Sequence, residues 1–344
     1  MKHSFLFVFL FSASIVFAQR SKGFSFVERK GENKIDVLYK GKLLTSYCYF
    51  DSVFKPFLFP LNTTDGITVT RGFPIAPRAG ERTDHPHHTG MWMNYESVNG
   101  LDFWNNSTAI APAKRNLYGT IRHDQVLSKK TDGNQATLVV TANWLHPDGH
   151  VIMKEKTDYL FKVKLGDLII ERSTTLTANE AVLFKDAKDG FFAIRVAREL
   201  EMPSNQADVF LDAQGNKTTV PQMNNAGVTG MYISSEGIRG DSVWSTKGRW
   251  CMLKGTKEGK QITIGIMDHP SNPGYPAYWH ARGYGLFAVN PLGKQIFSNG
   301  KEQFNFALRP NESVNFKYQV LIRSGKQTTA AEMNKLTDEF AKRK

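Results

Sequence analysis

Three of the nine histidines fall within four residues, at His85, His87 and His88. They lie inside the stretch RGFPIAPRAGERTDHPHHTGMWMNYESVNGLDFW, from Arg71 to Trp104. The same stretch holds Arg71, Arg78 and Arg82, the carboxylates Glu81, Asp84, Glu96 and Asp102, and the indoles Trp92 and Trp104. Buried polar groups are costly unless paired, and exposed indoles tend to mark binding surface. A segment of this composition therefore points to a site. An imidazole titrates at about pH 6.5 and can shuttle protons at ambient pH. In an extended chain His85 and His87 face one way and His88 the other. That spacing suits metal-free acid/base chemistry or a hydrogen-bonded loop cluster. It also suits a metal if a third ligand arrives from elsewhere. No closed ligand set accompanies the histidines, so the site residues include no metal ligand and no cofactor, and a metal stays as an alternative.

Two further segments carry groups of the same kind. Read as a strand, Asp189-Gly-Phe-Phe-Ala-Ile-Arg195 places Asp189, Phe191, Ala193 and Arg195 on one face and Phe192, Ile194 and Val196 on the other. Arg195 there suits a ligand clamp aligned by Asp189, or a structural ion pair. In Tyr278-Trp-His-Ala-Arg-Gly-Tyr284, alternation puts Tyr278, His280, Arg282 and Tyr284 on one face. A pocket wall wants aromatic surface with a few convergent polar groups, and this face has both. Asp268-His269-Pro270 repeats the Asp84-His85-Pro86 tripeptide, and an aspartate can orient a histidine and raise its basicity. The candidate acid/base residues are thus His85, His87, His88, Asp189, His269 and His280. The candidate substrate-binding residues are Arg82, Trp92, Trp104, Arg195, Arg282 and Tyr284, with an indole stacking on a ligand ring.

Most of the chain that must position these groups reads as strands. Phe24–Arg29, Lys34–Tyr39, Leu43–Phe50, Phe54–Leu61, Ile67–Arg71, Ala136–Trp144, Val151–Lys164, Asp167–Thr177, Asp241–Lys254, Gln261–Met267, Phe304–Leu308 and Ser313–Arg323 are rich in β-branched and aromatic residues. Gly, Asn or Asp bound most of them. Many strands at short spacing predict an all-β chain, a large antiparallel β-sandwich. Thr329-Ala-Ala-Glu332 is a capping box, and Met333, Leu336 and Phe340 follow at helical spacing, predicting one C-terminal helix over residues 329–342. Residues 202–241, poor in periodicity, predict a long loop near the site. Residues 19–344 read as a single domain.

The first residues, MKHSFLFVFLFSASIVFAQR, predict a signal peptide over residues 1–18, hence export to a periplasmic or extracellular compartment. No later stretch is apolar enough to cross a membrane as a helix. The net charge of +12 suits acidic glycans or a solvated basic surface. Nucleic acid is not expected, because no basic run interleaved with aromatics is present. Cys48 and Cys251 are the only cysteines. They exclude a zinc finger or a disulfide scaffold and leave one pairing open. Nucleophile-elbow, phosphate-loop and dinucleotide signatures are missing.

The blocks GERTDHPHHTGMWMNYESVNGLDFW, DGFFAIRVA and DHPSNPGYPAYWHARGYGLFAVNPLG resemble the secreted bacterial PmoA-like family, over nearly the whole chain after residue 18. The strand pattern, with a closing Phe304–Arg323 hairpin around Pro310-Asn311-Glu312, is similar to the galactose-mutarotase-like supersandwich. That resemblance implies sugar binding on a concave sheet, with histidines and a carboxylate as the working groups. Mutarotases use a late glutamate as base, whereas Glu302 and Glu312 fall at turn-like positions here. The resemblance thus implies a carbohydrate epimerase, lyase or hydrolase, with a non-catalytic glycan-binding protein as the alternative. A metal-dependent oxygenase is a third class.

Overall fold

A computed structural model describes residues 22–222 and 224–343. The signal-peptide expectation over residues 1–18 lies outside them. Two eight-stranded antiparallel sheets face one another. The first runs in the order Phe24–Arg29, Lys34–Tyr39, Lys42–Cys48, Phe57–Leu58, Met91–Tyr95, Gly190–Arg195, Leu286–Asn290, Tyr278–Arg282. The second runs Met231–Ser234, Trp250–Lys257, Lys260–Asp268, Ser313–Ser324, Asp167–Ala178, Val151–Lys164, Gln135–Leu145, Thr120–Asp132. The expected large antiparallel sandwich with a C-terminal helix is what the chain forms.

One core fills the space between the sheets. Met91, Met93, Phe192, Ile194, Phe287 and Val289 from the first meet Leu138, Phe161, Ile170, Ile264 and Val320 from the second. Phe192 stacks on Tyr318 across the gap at 4.8 Å, and Phe191 meets Phe316 at 4.4 Å. Strand alternation therefore turns the other face of the first sheet outward. That outer face carries a second, smaller apolar cluster that includes Trp92, Trp104, Ala193 and Ala288.

The C-terminal helix, Ala330–Ala341, starts at the capping box read from Thr329 and Glu332. It buries Met333 and Phe340 against Trp250, Met252, Met267 and Leu321 on the outside of the second sheet. Its third buried contact is Thr337, while Leu336 is only half-buried. Some strands depart from the sequence reading. Asp241–Lys254 is not extended throughout: a 3-10 turn spans Gly240–Val243, and the strand begins at Trp250. Ser245 between them adopts φ 66°, which breaks the extended run. Phe306–Leu308 pairs with Val182–Phe184, so the expected Phe304–Arg323 hairpin does not form. Residues 202–241 hold a short hairpin, Asp208–Leu211 with Lys217–Val220, and the strand Met231–Ser234. Cys48 and Cys251 are both buried and unbonded, one in each sheet.

Candidate functional site

The register of four strands sets the outer face of the first sheet. Trp92 pairs with Ala193, Ala193 with Ala288, and Ala288 with His280, giving one row across the sheet. The next row is Arg195, Leu286 and Arg282. The two alanines between Trp92 and His280 keep the middle of the face low, so flanking loops pack onto it. The strand reading of Ala193 and Arg195 thus holds. Phe191 does not share their face but points into the core.

The chain from Arg71 to Gly90 closes over this face, and arginines pin it there. The buried Arg71 guanidinium donates to the Asp84 carbonyl at 2.9 Å, to Asp84 Oδ1 at 2.7 Å and to the His85 and His88 carbonyls at 3.0 and 3.3 Å. Arg195 comes from the sheet below and donates to the same Asp84 Oδ1 at 2.7 Å and to His88 Nδ1 at 3.1 Å. Glu81 accepts from the Gly72 and Phe73 amides and from Arg78. Gly90, at φ 56°, brings the loop back into the sheet; a Cβ there would lie 2.1 Å from the Leu58 carbonyl oxygen.

Asp84 sits at the centre of this network. Its Oδ1 takes both arginines, and its Oδ2 contacts His85 Nδ1. Burial alone would raise its pKa, but Arg195, His85 and Arg71 together hold the carboxyl far below the usual range. Asp84 is therefore a fixed anion, and His85 Nδ1–H donates to it, so a neutral His85 ring carries its lone pair on Nε2. His85 holds the left-handed φ of 44°, strain of the kind that persists where surroundings over-determine a residue. Its side chain stays 42% exposed.

The other histidines are enclosed. Burial pushes the basicity of His87 and His88 well below that of a free imidazole, with neighbouring cations acting in the same direction. His88 Nδ1 accepts from Arg195, so a neutral ring carries its proton on Nε2. Burial also lowers His280 to about 3. Its Nδ1 lies 3.9 Å from Asp189 Oδ1 and has no hydrogen-bond partner among the described residues. Four rings form a column: Tyr284 on His85 at 5.1 Å, His85 on His88 at 4.7 Å, and His88 on Trp92 at 5.3 Å. The Arg195 guanidinium lies 5.0 Å from the Tyr284 ring centre.

The histidine loop separates two depressions. One, of about 390 Å³, is walled by Arg82, Asp84, His85, Asp241, Arg282 and Tyr284, with Met202–Asp208 along its rim. The predicted loop therefore does border the site. The other, of about 160 Å³, opens on the far side between His87, Lys55, Thr89 and Asn106. Lys55 is buried there and donates to the His87 carbonyl at 2.6 Å. Burial lowers its pKa from the ordinary 10.5 to about 7, against the pull of Asp102. Above pH 7 the folded chain loses this proton while the unfolded chain keeps it up to about 10.5. Folding stability must then rise with pH across that window, by at most about 5 kcal/mol. Denaturant titrations between pH 6.5 and 10 should show wild type gaining stability relative to Lys55→Met; parallel profiles would mean that Lys55 ionises normally.

Three parts of the sequence reading need correction. His269 is not at the site. Its Nε2 donates to the Arg343 carbonyl at 3.1 Å, its Nδ1 meets the Ser271 hydroxyl at 2.7 Å, and its ring packs edge-on against Phe340. It anchors the C-terminal helix to the second sheet. Asp268 does not orient it; that carboxyl accepts from Asn272 and the Ala277 amide instead. Trp92 and Trp104 are fully buried, 5.2 Å apart, and form the floor beneath His88 rather than a surface for ligand stacking. Arg82 reaches the cleft wall, but its guanidinium is committed to Glu201 at 2.7 Å and to Asp208. The sequence reading gave no role to Arg71, Lys55, Asp208 or Asp241. For Lys55 a signal existed, a single lysine inside the apolar run Phe54–Leu61. Arg71 gave none, because its partners lie 11 to 17 residues further on.

The chain belongs to a family of unknown function, DUF6807, whose profile matches residues 34–338. No curated protein matches it in sequence. Among solved structures it is similar to the GH36 α-galactosidase AgaB of Geobacillus stearothermophilus, at 13% identity and a TM-score of 0.39, over 88% of this chain and 41% of that one. An α-galactosidase of Lactobacillus brevis matches at 10% identity and a TM-score of 0.35, over 88% and 39%. A polysaccharide lyase matches at 11% identity and a TM-score of 0.29, over 82% and 32%. The chain thus spans about two-fifths of the length of the galactosidases it matches.

Proposed function

We propose that this DUF6807 member is an exported carbohydrate-active protein that binds a sugar or glycan fragment in the larger cleft and moves a proton through His85. The lining of that cleft carries the reading. A carboxylate acceptor, Asp241, and a guanidinium donor, Arg282, border the flat Tyr284–His85 stack. Such a wall meets both needs of a pyranose, an apolar ring face and several hydroxyls. A cleft of about 390 Å³ falls within the usual range for small-ligand sites, about 300–1,000 Å³.

The proton chemistry follows from the Asp84–His85 contact. Asp84 holds the Nδ1–H tautomer, so His85 Nε2 is the atom that accepts a proton from a sugar carbon or hydroxyl and returns it. Asp84 itself is neutralised by Arg71 and Arg195 and serves to orient. Glycoside cleavage normally takes two carboxylates, one of them carrying a proton. Asp84, held as an anion, does not supply that group.

Non-catalytic glycan binding is the second reading. One observation favours it: the other three imidazoles at this site, His87, His88 and His280, are enclosed, leaving His85 as the open one among them. A panel of neutral and uronic-acid mono- and oligosaccharides separates the readings. Product formation monitored by NMR, beside affinity by calorimetry, should reveal at least one sugar that is both bound and converted. Binding without conversion on every member leaves the glycan-binding reading. Neither binding nor conversion by a folded protein would overturn both.

A further inference from the structure

The turn joining the strands Gln135–Leu145 and Val151–Lys164 reads His146-Pro147-Asp148-Gly149-His150. Among the described residues, His146, Asp148 and His150 bring one ligand atom each within 4.8 Å of one another. Asp148 Oδ1 lies 3.0 Å from His146 Nδ1 and 2.8 Å from His150 Nδ1. The two imidazoles stack at 4.7 Å with planes 21° apart, and both Nδ1 atoms lie on the side of the same carboxylate oxygen. The backbone is built for this: His146 N donates to the His150 carbonyl at 3.0 Å, and Gly149 takes φ 96°. All three side chains remain open to solvent.

A second, independent contact concerns the outer nitrogen of His150. Its Nε2 lies 3.3 Å from Glu180 Oε2, and Glu180 Oε1 is itself held by the Asn99 amide at 3.0 Å. A histidine that donates its outer N–H to a carboxylate presents the other nitrogen as a lone pair, the arrangement that orients metal-bound imidazoles. We infer that His146 Nδ1, His150 Nδ1 and Asp148 Oδ1 bind one divalent ion of the zinc class, with Glu180 orienting His150. Two imidazoles and one carboxylate suit zinc, cobalt or nickel better than calcium or magnesium, which prefer all-oxygen sets. Bonds of about 2.0–2.2 Å at tetrahedral angles put donor atoms about 3.3 Å apart, slightly wider than the two spacings to Asp148 Oδ1. The ion takes the position between the two Nδ1 lone pairs and Asp148 Oδ1, His150 keeps its Nε2 proton on Glu180, and water completes the coordination. It also ties the hairpin tip, through Glu180, to the chain following the strand Asp167–Ala178. This inference does not rest on the sugar reading.

The test is calorimetric titration of untagged, chelator-treated protein with zinc, followed by cobalt(II) absorption spectroscopy on the same protein. One ion per chain is expected, with intense visible cobalt bands of a low-coordinate N/O site. The double variant H146A/H150A should abolish both signals, Asp148→Asn should weaken binding, and Glu180→Gln should weaken it by roughly 10–100-fold. All four positions are on the surface, and an unchanged denaturation midpoint verifies the fold. The inference is overturned if wild type binds no zinc, or if the double variant and Asp148→Asn bind it as wild type does, since the ion then sits elsewhere.

Discussion

Replacing Asp84 by alanine should cost about 3–5 kcal/mol of folding stability, the usual penalty for removing one partner of a buried ion pair. The reason is the pair of guanidiniums it leaves behind. Arg71 and Arg195 are each at most 1% exposed, and both donate to Asp84 Oδ1 at 2.7 Å. Burial, with Arg195 adding to it, already lowers Arg71 to about 9. Without the carboxylate, two buried cations face one another with only carbonyls and an imidazole to receive them. The histidine loop, which hangs on Arg71, should loosen with them. Asp84→Asn keeps the shape and loses the charge, so it separates geometry from electrostatics. The sign of the pH dependence follows from the depressed carboxyl. Its stabilisation is fully present above the unfolded value, about 4, and is lost as pH falls below that. Urea denaturation of the three proteins between pH 3 and 7 measures this. A loss below about 1 kcal/mol at pH 7 in Asp84→Ala would mean that the arginines find other partners.

The second large effect belongs to His85. Asparagine at this position keeps a donor near Asp84, where Nδ1 sits, and removes Nε2. On a sugar that the protein converts, His85→Asn should lower kcat by about 10²–10⁴-fold, the range for loss of a positioned acid/base group. KM should change little, because Arg282, Tyr284 and Asp241 remain in the cleft wall. A rise in KM with kcat unchanged would instead make His85 a binding group. The enclosed His280 provides the contrast. It lies at the other end of the Trp92 row, so its loss should disturb packing more than proton transfer.

The long strands and the C-terminal helix were legible because each pattern reports a single local cause. Val151–Lys164 and Asp167–Ala178 alternate buried and less buried residues along much of their length, and Thr329 with Glu332 caps the helix as the spacing implies. Thr120–Asp132 escaped notice for the opposite reason. It is an edge strand whose last residues are largely exposed, and it carries Lys129, Lys130 and Asp132 where an alternating strand would show apolar groups. Among the site residues, Arg195 and Arg282 were placed by strand alternation, and Asp84–His85 by composition. The roles of Trp92 and Trp104 were not, since an indole looks the same in sequence whether it floors a site or faces a ligand. The repeated Asp-His-Pro tripeptide misled for a related reason: at His269 the partner is the far end of the chain, Arg343. The hairpin-tip histidines lie four apart around a turn, where strand alternation gives no cue to their meeting.

No helix among the described residues is long and apolar enough to cross a membrane. The most direct measurement is the crystal structure of His85→Asn with the best sugar from the panel, a variant that binds without turning over. The sugar is expected in the cleft of about 390 Å³, its ring on Tyr284, a hydroxyl on Arg282, and the reacting atom at the position vacated by His85 Nε2. A sugar seated in the smaller depression beside His87 and Lys55, or away from this face altogether, would contradict it.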